Sequence, residues 1–290
     1  MTTFLGLDAL DLKGAEVVVL PVPYEATTTF GAGTRFGPEA LLTASQQVEL
    51  WDEEEDWDPS QAISIATAPA VSPEAGGPAQ MVEKLRNLVK PWVAAGKTLL
   101  TLGGEHTITR ALVEAYLTRY PDLTIVCLDA HADLRDKYEN SPWSHACVMR
   151  RVWELGRPVT LMGVRSYSAE EYDFMKVAPR LTLLKASNLK EAEYFQLALD
   201  HLGRITGPVY LSLDLDALDP AVLPGTGTPE PGGLSYDQVL TIFKTITRRG
   251  PVIGMDVVEL APIPGHRTSE FLAARLLYKF LGYLYQDRRK

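Results

Sequence analysis

Short apolar runs punctuate this chain, and between them the apolar positions recur at helical spacing. Glu16-Val-Val-Val-Leu-Pro-Val22, Thr98-Leu-Leu-Thr-Leu102 and Leu123-Thr-Ile-Val-Cys-Leu128 are the first three clear runs; Val159–Val164, Leu181–Leu184, Val209–Leu213 and Val252–Val258 follow. Such brief runs, with β-branched residues and no polar alternation, read as buried strands of a parallel sheet. Helical periodicity covers Pro78–Ala95, closed by Gly96, then Ile108–Tyr120, Ala146–Leu155, Ala169–Met175, Leu189–Leu202, Tyr236–Arg248 and Thr268–Tyr285. Strand, helix, strand from 98 to 128 is a βαβ unit with a right-handed crossover. The alternation continues to the end of the chain. It predicts an α/β fold over residues 1–290 as one domain: a three-layer αβα sandwich with a central, mostly parallel sheet.

Three stretches fall outside this pattern. Tyr24–Pro38 is rich in Thr and Gly and reads as a flexible loop, its glycines serving turn geometry, with Pro38 able to start a helix. The acidic run Asp52–Asp58 reads as a solvated loop. Arg135–Ser144 is polar, contains Pro142, and reads as a loop over whatever lies at the end of the third strand.

Composition narrows the function. With 37 acidic and 28 basic residues the formal charge is −9, which argues against nucleic acid, since phosphate binding needs a basic footprint. It favours metal ions or a cationic small molecule. No apolar run reaches the length of a membrane helix, and the N-terminus has no basic segment followed by a long apolar one, so a soluble, non-secreted protein is expected. Two cysteines, Cys127 and Cys147, make no disulfide framework and fit a reducing cytoplasm.

The chemistry sits where strands end. Asp129, His131 and Asp133 alternate with Leu128, Ala130 and Ala132 at the carboxyl end of the 123–128 strand, where open α/β sheets keep their active sites. Residues two apart on extended backbone are roughly 6.5 to 7 Å apart on one face, so two metals side by side share them more easily than one. Asp214 and Asp216 alternate with leucines in the same way, and burying them without cations is costly. His106 follows two glycines at a strand-to-helix turn. Together these ends offer four carboxylates and two imidazoles, enough to balance two divalent cations. Oxygen-rich ligation with some imidazole and no thiolate suits manganese first, with iron, zinc or cobalt behind it. Bridging carboxylates would set the metals about 3.5 to 4 Å apart and make a shared hydroxide nucleophilic near neutral pH. Three of the five histidines, His106, His131 and His145, fall within or just after these motifs; His201 and His266 are read as ordinary.

GGEH at 103–106, DAHAD at 129–133, SLDLDALDP at 212–220, PGTGTPEPGG at 224–233 and MDVVELAP at 255–262 resemble, in order, the signatures of the ureohydrolase family, which includes arginase and agmatinase. FGAGTRFGPEAL, from Phe30 to Leu41, is similar to that family's N-terminal loop. The resemblance implies the arginase-like fold and two Mn²⁺ ions, one held by His106, Asp129, Asp133 and Asp214, the other by His131, Asp129, Asp214 and Asp216. Asp129 and Asp214 would bridge. Family members cleave a guanidinium group to urea and an amine, with Glu259 at the position that accepts hydrogen bonds from the guanidinium, a planar permanent cation. By the same resemblance a metal-bridging hydroxide attacks the guanidinium carbon and Asp133 passes its proton to the leaving nitrogen. His145 matches the family's loop histidine, a proton shuttle that also contacts substrate, and its ordinary pKa near 6.5 suits that task. Thr228 matches a position near the guanidinium.

The loop Lys137-Tyr-Glu-Asn-Ser-Pro-Trp-Ser144 does not match the arginase pattern, and with SHACVMRR at 144–151 and TGTPEPGG at 226–233 it is more similar to agmatinase. The expectation is therefore an agmatinase: agmatine to putrescine and urea, in a cytoplasmic enzyme that is a trimer or hexamer by family resemblance. Arginase, guanidinobutyrase and formimidoylglutamase activities are the alternatives, with a non-catalytic metal-binding relative behind them.

Overall fold

The computed structural model describes residues 2–8 and 10–289. Eight strands, β1 (Val17–Val22), β2 (Ile65–Thr67), β3 (Thr98–Gly103), β4 (Thr124–Leu128), β5 (Val159–Val164), β6 (Leu181–Lys185), β7 (Val209–Asp214) and β8 (Val252–Val258), form one sheet in the order β2-β1-β3-β8-β7-β4-β5-β6. Every pairing is parallel. Burial on both faces is what parallel strands require: β1, β5, β7 and β8 are buried at every residue.

Successive side chains alternate between two cores, as the pleat dictates. Val17 and Val19 point into one with Leu41, Phe243 and Phe280; Val18 and Leu20 point into the other with Leu85, Leu112 and Met149. The first core is covered by α1 (Gly37–Ser45), α7 (Ala192–Leu202), α8 (Tyr236–Arg249) and α9 (Thr268–Leu284). The second is covered by α2 (Pro78–Ala94), α3 (Thr109–Leu117) and α4 (Val148–Trp153). This is the three-layer sandwich expected from the alternation of runs. None of the described helices is long and apolar enough to cross a membrane.

Three local expectations need correction. The edge strand β2 is only three residues long, too short to show a period, and it went unanticipated. The helix expected over Leu189–Leu202 is broken: α6 (Ala186–Leu189) ends and α7 starts at Ala192. The acidic run is not simply solvated. Asp52 and Trp57 are buried, and the Asp52 carboxylate accepts from Lys279 Nζ of α9 at 2.6 Å, with Glu53 at 3.1 Å from the same ammonium. Lys279 is itself only 2% exposed. A buried ammonium on an apolar helix needs carboxylate partners, and the loop supplies them.

Helix α5 (Ala169–Val177) opens on a capping box in which Ser168 and Glu171 satisfy each other's end of the helix. That places Ser166, Tyr167, Ser168 and Glu171 beside the carboxyl ends of the strands.

Candidate metal centre and substrate pocket

Four adjacent strands, β3, β8, β7 and β4, end side by side. Their parallel registers bring Leu128 level with Leu213 and Asp214 level with Val258. His106, Glu259, Asp214, Asp216 and the stretch 129–133 therefore leave the sheet at one edge, although they span half the chain. Gly104 makes the β3 end possible: a side chain there would collide with the Tyr24 carbonyl.

Around His106 the geometry is convergent. Its Nδ1 lies 3.2 Å from Asp129 Oδ2, 3.3 Å from Asp133 Oδ2 and 3.3 Å from Asp214 Oδ2. All four groups are buried. The other ring nitrogen, Nε2, is 3.0 Å from Ser212 Oγ. Ser212 donates its own proton to Asp256 Oδ1 at 2.7 Å, and Tyr210 donates to Asp256 Oδ2 at 2.6 Å. With its single proton committed, the Ser212 hydroxyl can only accept from Nε2–H, so a neutral His106 presents the Nδ1 lone pair to three carboxylate oxygens. His106 Nδ1 and Asp129 Oδ2 are both buried without a hydrogen-bond partner among the described residues. A lone pair facing carboxylates is repulsive unless a cation or a proton lies between them, and a carboxylate-backed histidine is the usual outer support of a metal ligand. Without a metal the proton is the remaining answer: burial alone would lower the His106 imidazole, but Asp129, Asp133 and Asp214 hold it well above its ordinary value.

A second cluster adjoins the first. His131 Nδ1 is 2.9 Å from Asp216 Oδ2 and 3.8 Å from Asp129 Oδ1. Asp129 thus turns one oxygen toward each imidazole, the disposition of a bridging carboxylate. Asp214 points Oδ2 at His106, while its Oδ1 accepts the Asp216 backbone N–H at 3.0 Å. Burial opposes charge on His131, yet Asp216, then Asp129 and Asp133, hold its imidazole up to about 11. Burial, reinforced by the Asp133 and Asp216 charges, pushes Asp129 up to about 7. Burial, reinforced by Asp216 and Asp129, likewise raises the Asp214 carboxyl. Carboxylates crowded in this way suit divalent cations, and all six sequence-derived candidate ligands lie in the two clusters. Cys127 also comes near, with Sγ 3.9 Å from His106. It faces Nε2, away from the carboxylates, and burial pushes its thiol up to about 12, so it stays a neutral core residue.

A cavity of about 270 Å³ opens over these clusters. Glu259 lines it, with Oε1 accepting the His106 backbone N–H at 2.7 Å. Burial and the neighbouring Glu105 push the Glu259 carboxyl well above the usual carboxylate range, and a bound cation would reverse that. Both Glu259 (φ 65°) and Asp133 (φ 52°) hold left-handed backbone, uncommon for residues with side chains and frequent at functional sites. His145 and Thr228 also line the cavity.

Sequence reasoning missed the wall opposite. Thr28, Thr29, Phe30 and Gly31, from the loop assigned to turn geometry, line the cavity too. Gly31 donates to the Gly227 carbonyl at 3.2 Å, and a Cβ on Gly31 would come within 2.6 Å of that oxygen. Thr228 is therefore locked against the N-terminal loop. The paired glycine-rich segments, 31–37 and 225–233, were the available signal: two such loops in a long chain are natural partners for close backbone contact.

Comparison with known proteins adds to this geometry. The arginase family model matches residues 15–282. The chain is 40% identical to the N(1)-aminopropylagmatine ureohydrolase of Synechocystis sp., with 99% of this chain and 95% of the relative covered. It is 31% identical to the agmatinase of Pyrococcus horikoshii, covering 96% and 95%. The crystal structure of the agmatine ureohydrolase of Thermoplasma volcanium superposes with a TM-score of 0.90 at 27% identity, over 100% of this chain and 97% of that one.

Proposed function

The chain belongs to the arginase family, and from that premise we propose that it is a ureohydrolase for linear, carboxylate-free guanidino amines, with N(1)-aminopropylagmatine as preferred substrate and agmatine as the second reading. The observation that carries the reaction class is the convergence of Asp129, Asp133, Asp214 and Asp216 on His106 and His131, with Glu259 beside them. The substrate class rests on the pocket and on the relatives. Among the described residues Arg135 is the one Arg or Lys lining the cavity; its guanidinium lies 4.9 Å from the centre of the Tyr138 ring and its Nε 3.8 Å from Glu171. An α-carboxylate would have to draw this guanidinium from Glu171 and the Tyr138 ring, whereas an amine chain needs no cation. The aminopropyl form is put first because identity is 40% to the relative named for it and 31% to the agmatinase.

Two divalent cations, manganese by resemblance, would be held by His106, Asp129, Asp133 and Asp214 and by His131, Asp129, Asp214 and Asp216, supplying Lewis acidity and acidifying a water. The chain's own groups do the rest. Glu259 accepts from the guanidinium and fixes its plane, and Thr228 borders it. Water adds at the guanidinium carbon, the bond to the substituted nitrogen breaks, and urea and a protonated amine leave. Both water protons end on that nitrogen, so two carriers are useful. Asp133, at the rim of the cluster, moves one, and His145, half-buried at the cavity wall, relays the other.

Urea release across guanidino compounds checks the reading. With added Mn²⁺ we expect kcat/KM to fall in the order N(1)-aminopropylagmatine, agmatine, arginine, the last by about 10²-fold or more, the scale of leaving a charged group without a partner. Arginine turned over faster than agmatine would sink the substrate assignment.

A further inference from the structure

His145 is held by a network that the reaction scheme does not yet use. Thr27 Oγ1 lies 3.1 Å from His145 Nδ1 and accepts the His145 backbone N–H at 3.0 Å. The same hydroxyl donates to Glu105 Oε1 at 3.1 Å. Glu105 is fully buried, and its Oε2 accepts the backbone N–H groups of Ala26 at 2.7 Å and Thr27 at 2.6 Å. The carboxylate thus fixes the loop and orients the hydroxyl at once.

A threonine hydroxyl has one proton and two lone pairs. Its proton is committed to Glu105, so both lone pairs accept, one from the backbone N–H and one from the ring. Ser144 Oγ, at 3.5 Å, is the other polar atom near Nδ1, and it is at the limit of a hydrogen bond. Nε2 makes no hydrogen bond to the described residues. The arrangement repeats the one behind His106, where Asp256 orients Ser212 and Ser212 orients the ring.

We propose that Thr27, oriented by Glu105, is a positioning residue that holds His145 as the Nδ1–H tautomer and leaves Nε2 as its proton-accepting atom. This rests on the ureohydrolase reading above for its place in turnover, though not for the tautomer itself. The Thr27–Glu105 pair ties three elements together: the N-terminal loop, the β3 end and the loop carrying His145. It also explains a buried glutamate directly before a candidate ligand that is not itself brought to the carboxylate cluster.

Two variants and one spectrum test it. Thr27→Val keeps the shape and removes the acceptor; Thr27→Ser keeps the acceptor and removes a methyl. We expect Thr27→Val to lower kcat by about 10- to 100-fold, the usual effect of losing an outer partner of a working histidine, with KM changed far less, and Thr27→Ser to recover most of it. In ¹⁵N-histidine protein loaded with diamagnetic Zn²⁺, long-range ¹H–¹⁵N correlations should show neutral His145 protonated at Nδ1, and a tautomer mixture in Thr27→Val. Wild-type kcat in Thr27→Val, equal loss in both variants, or an Nε2–H ring in the wild-type protein would each overturn the proposal. The wild-type spectrum needs no substrate and no variant. A chain that releases urea from none of the guanidino compounds while showing Nδ1–H would overturn the proposed function and leave the tautomer assignment standing.

Discussion

Asp133→Asn is expected to lower kcat by about 10³-fold at saturating Mn²⁺, within the range that positioned acid–base groups contribute, while bound metal falls by far less. The amide keeps the volume and one oxygen donor but cannot take up a proton at the operating pH. Backbone strain is not a confounder: Asp133 sits at φ 52°, a conformation asparagine tolerates as well as aspartate. Asp214→Asn is the informative contrast, because Asp214 faces His106 within the cluster and should lose metal and activity together. Metal content by inductively coupled plasma mass spectrometry, measured alongside kcat, separates the two. Parallel loss of metal and turnover in Asp133→Asn would remove it from the proton path.

Stripping the metals with EDTA is expected to have the second large effect, on stability. A ligand at about a thousand times its Kd adds about 4 kcal/mol to a folded state that alone binds it, which for a chain of this size is a rise in Tm of about 7 °C. The sign of its pH dependence follows from the clusters. Asp129 is pushed up to about 7 in the fold against an ordinary value near 4, so its contribution is full below about pH 4 and is lost as pH rises through 7. His131 is held up to about 11, so its contribution is full below about pH 6.5 and drains away above it. Asp216, lowered mainly by its pairing with His131 against the opposing effect of burial, acts only on the acid side. Stripped protein should thus lose stability from pH 6 to 9. Loaded protein should not, since a cation replaces the imidazolium protons and binds more tightly as they leave. The gap in Tm between the two forms is expected to widen across that range in differential scanning calorimetry; a constant or shrinking gap would count against His131 as a ligand.

The sheet and the cluster of candidate ligands were legible because both obey short-range rules. Buried parallel strands announce themselves as apolar runs, and Asp129, His131, Asp133, Asp214 and Asp216 stand directly at the ends of two of them. What escaped was whatever depends on distant partners. Asp52 looks like one acid among several until Lys279, 227 residues later, is found buried against it. Thr28–Gly31 look like a turn until Gly227 meets Gly31. Ser212 and Asp256 lie inside quoted motifs and Thr27 in none, yet none of the three was given a role, for a hydroxyl or carboxylate that orients a histidine is defined only by which ring nitrogen it faces.

The position of β8 has a consequence for how the protein is made. It is the last strand to leave the ribosome, yet it lies between β3 and β7, joining β2-β1-β3 to β7-β4-β5-β6. Until residues 252–258 are free to insert, a nascent chain holds two half-sheets with open, apolar edges, the condition in which intermediates aggregate or call on chaperones. His106 lies on one half, and Asp129, His131, Asp133, Asp214 and Asp216 lie on the other. High metal affinity should therefore appear abruptly once residues 252–258 can pair, and a chain truncated before Val252 should bind Mn²⁺ weakly however much of its helix it has formed.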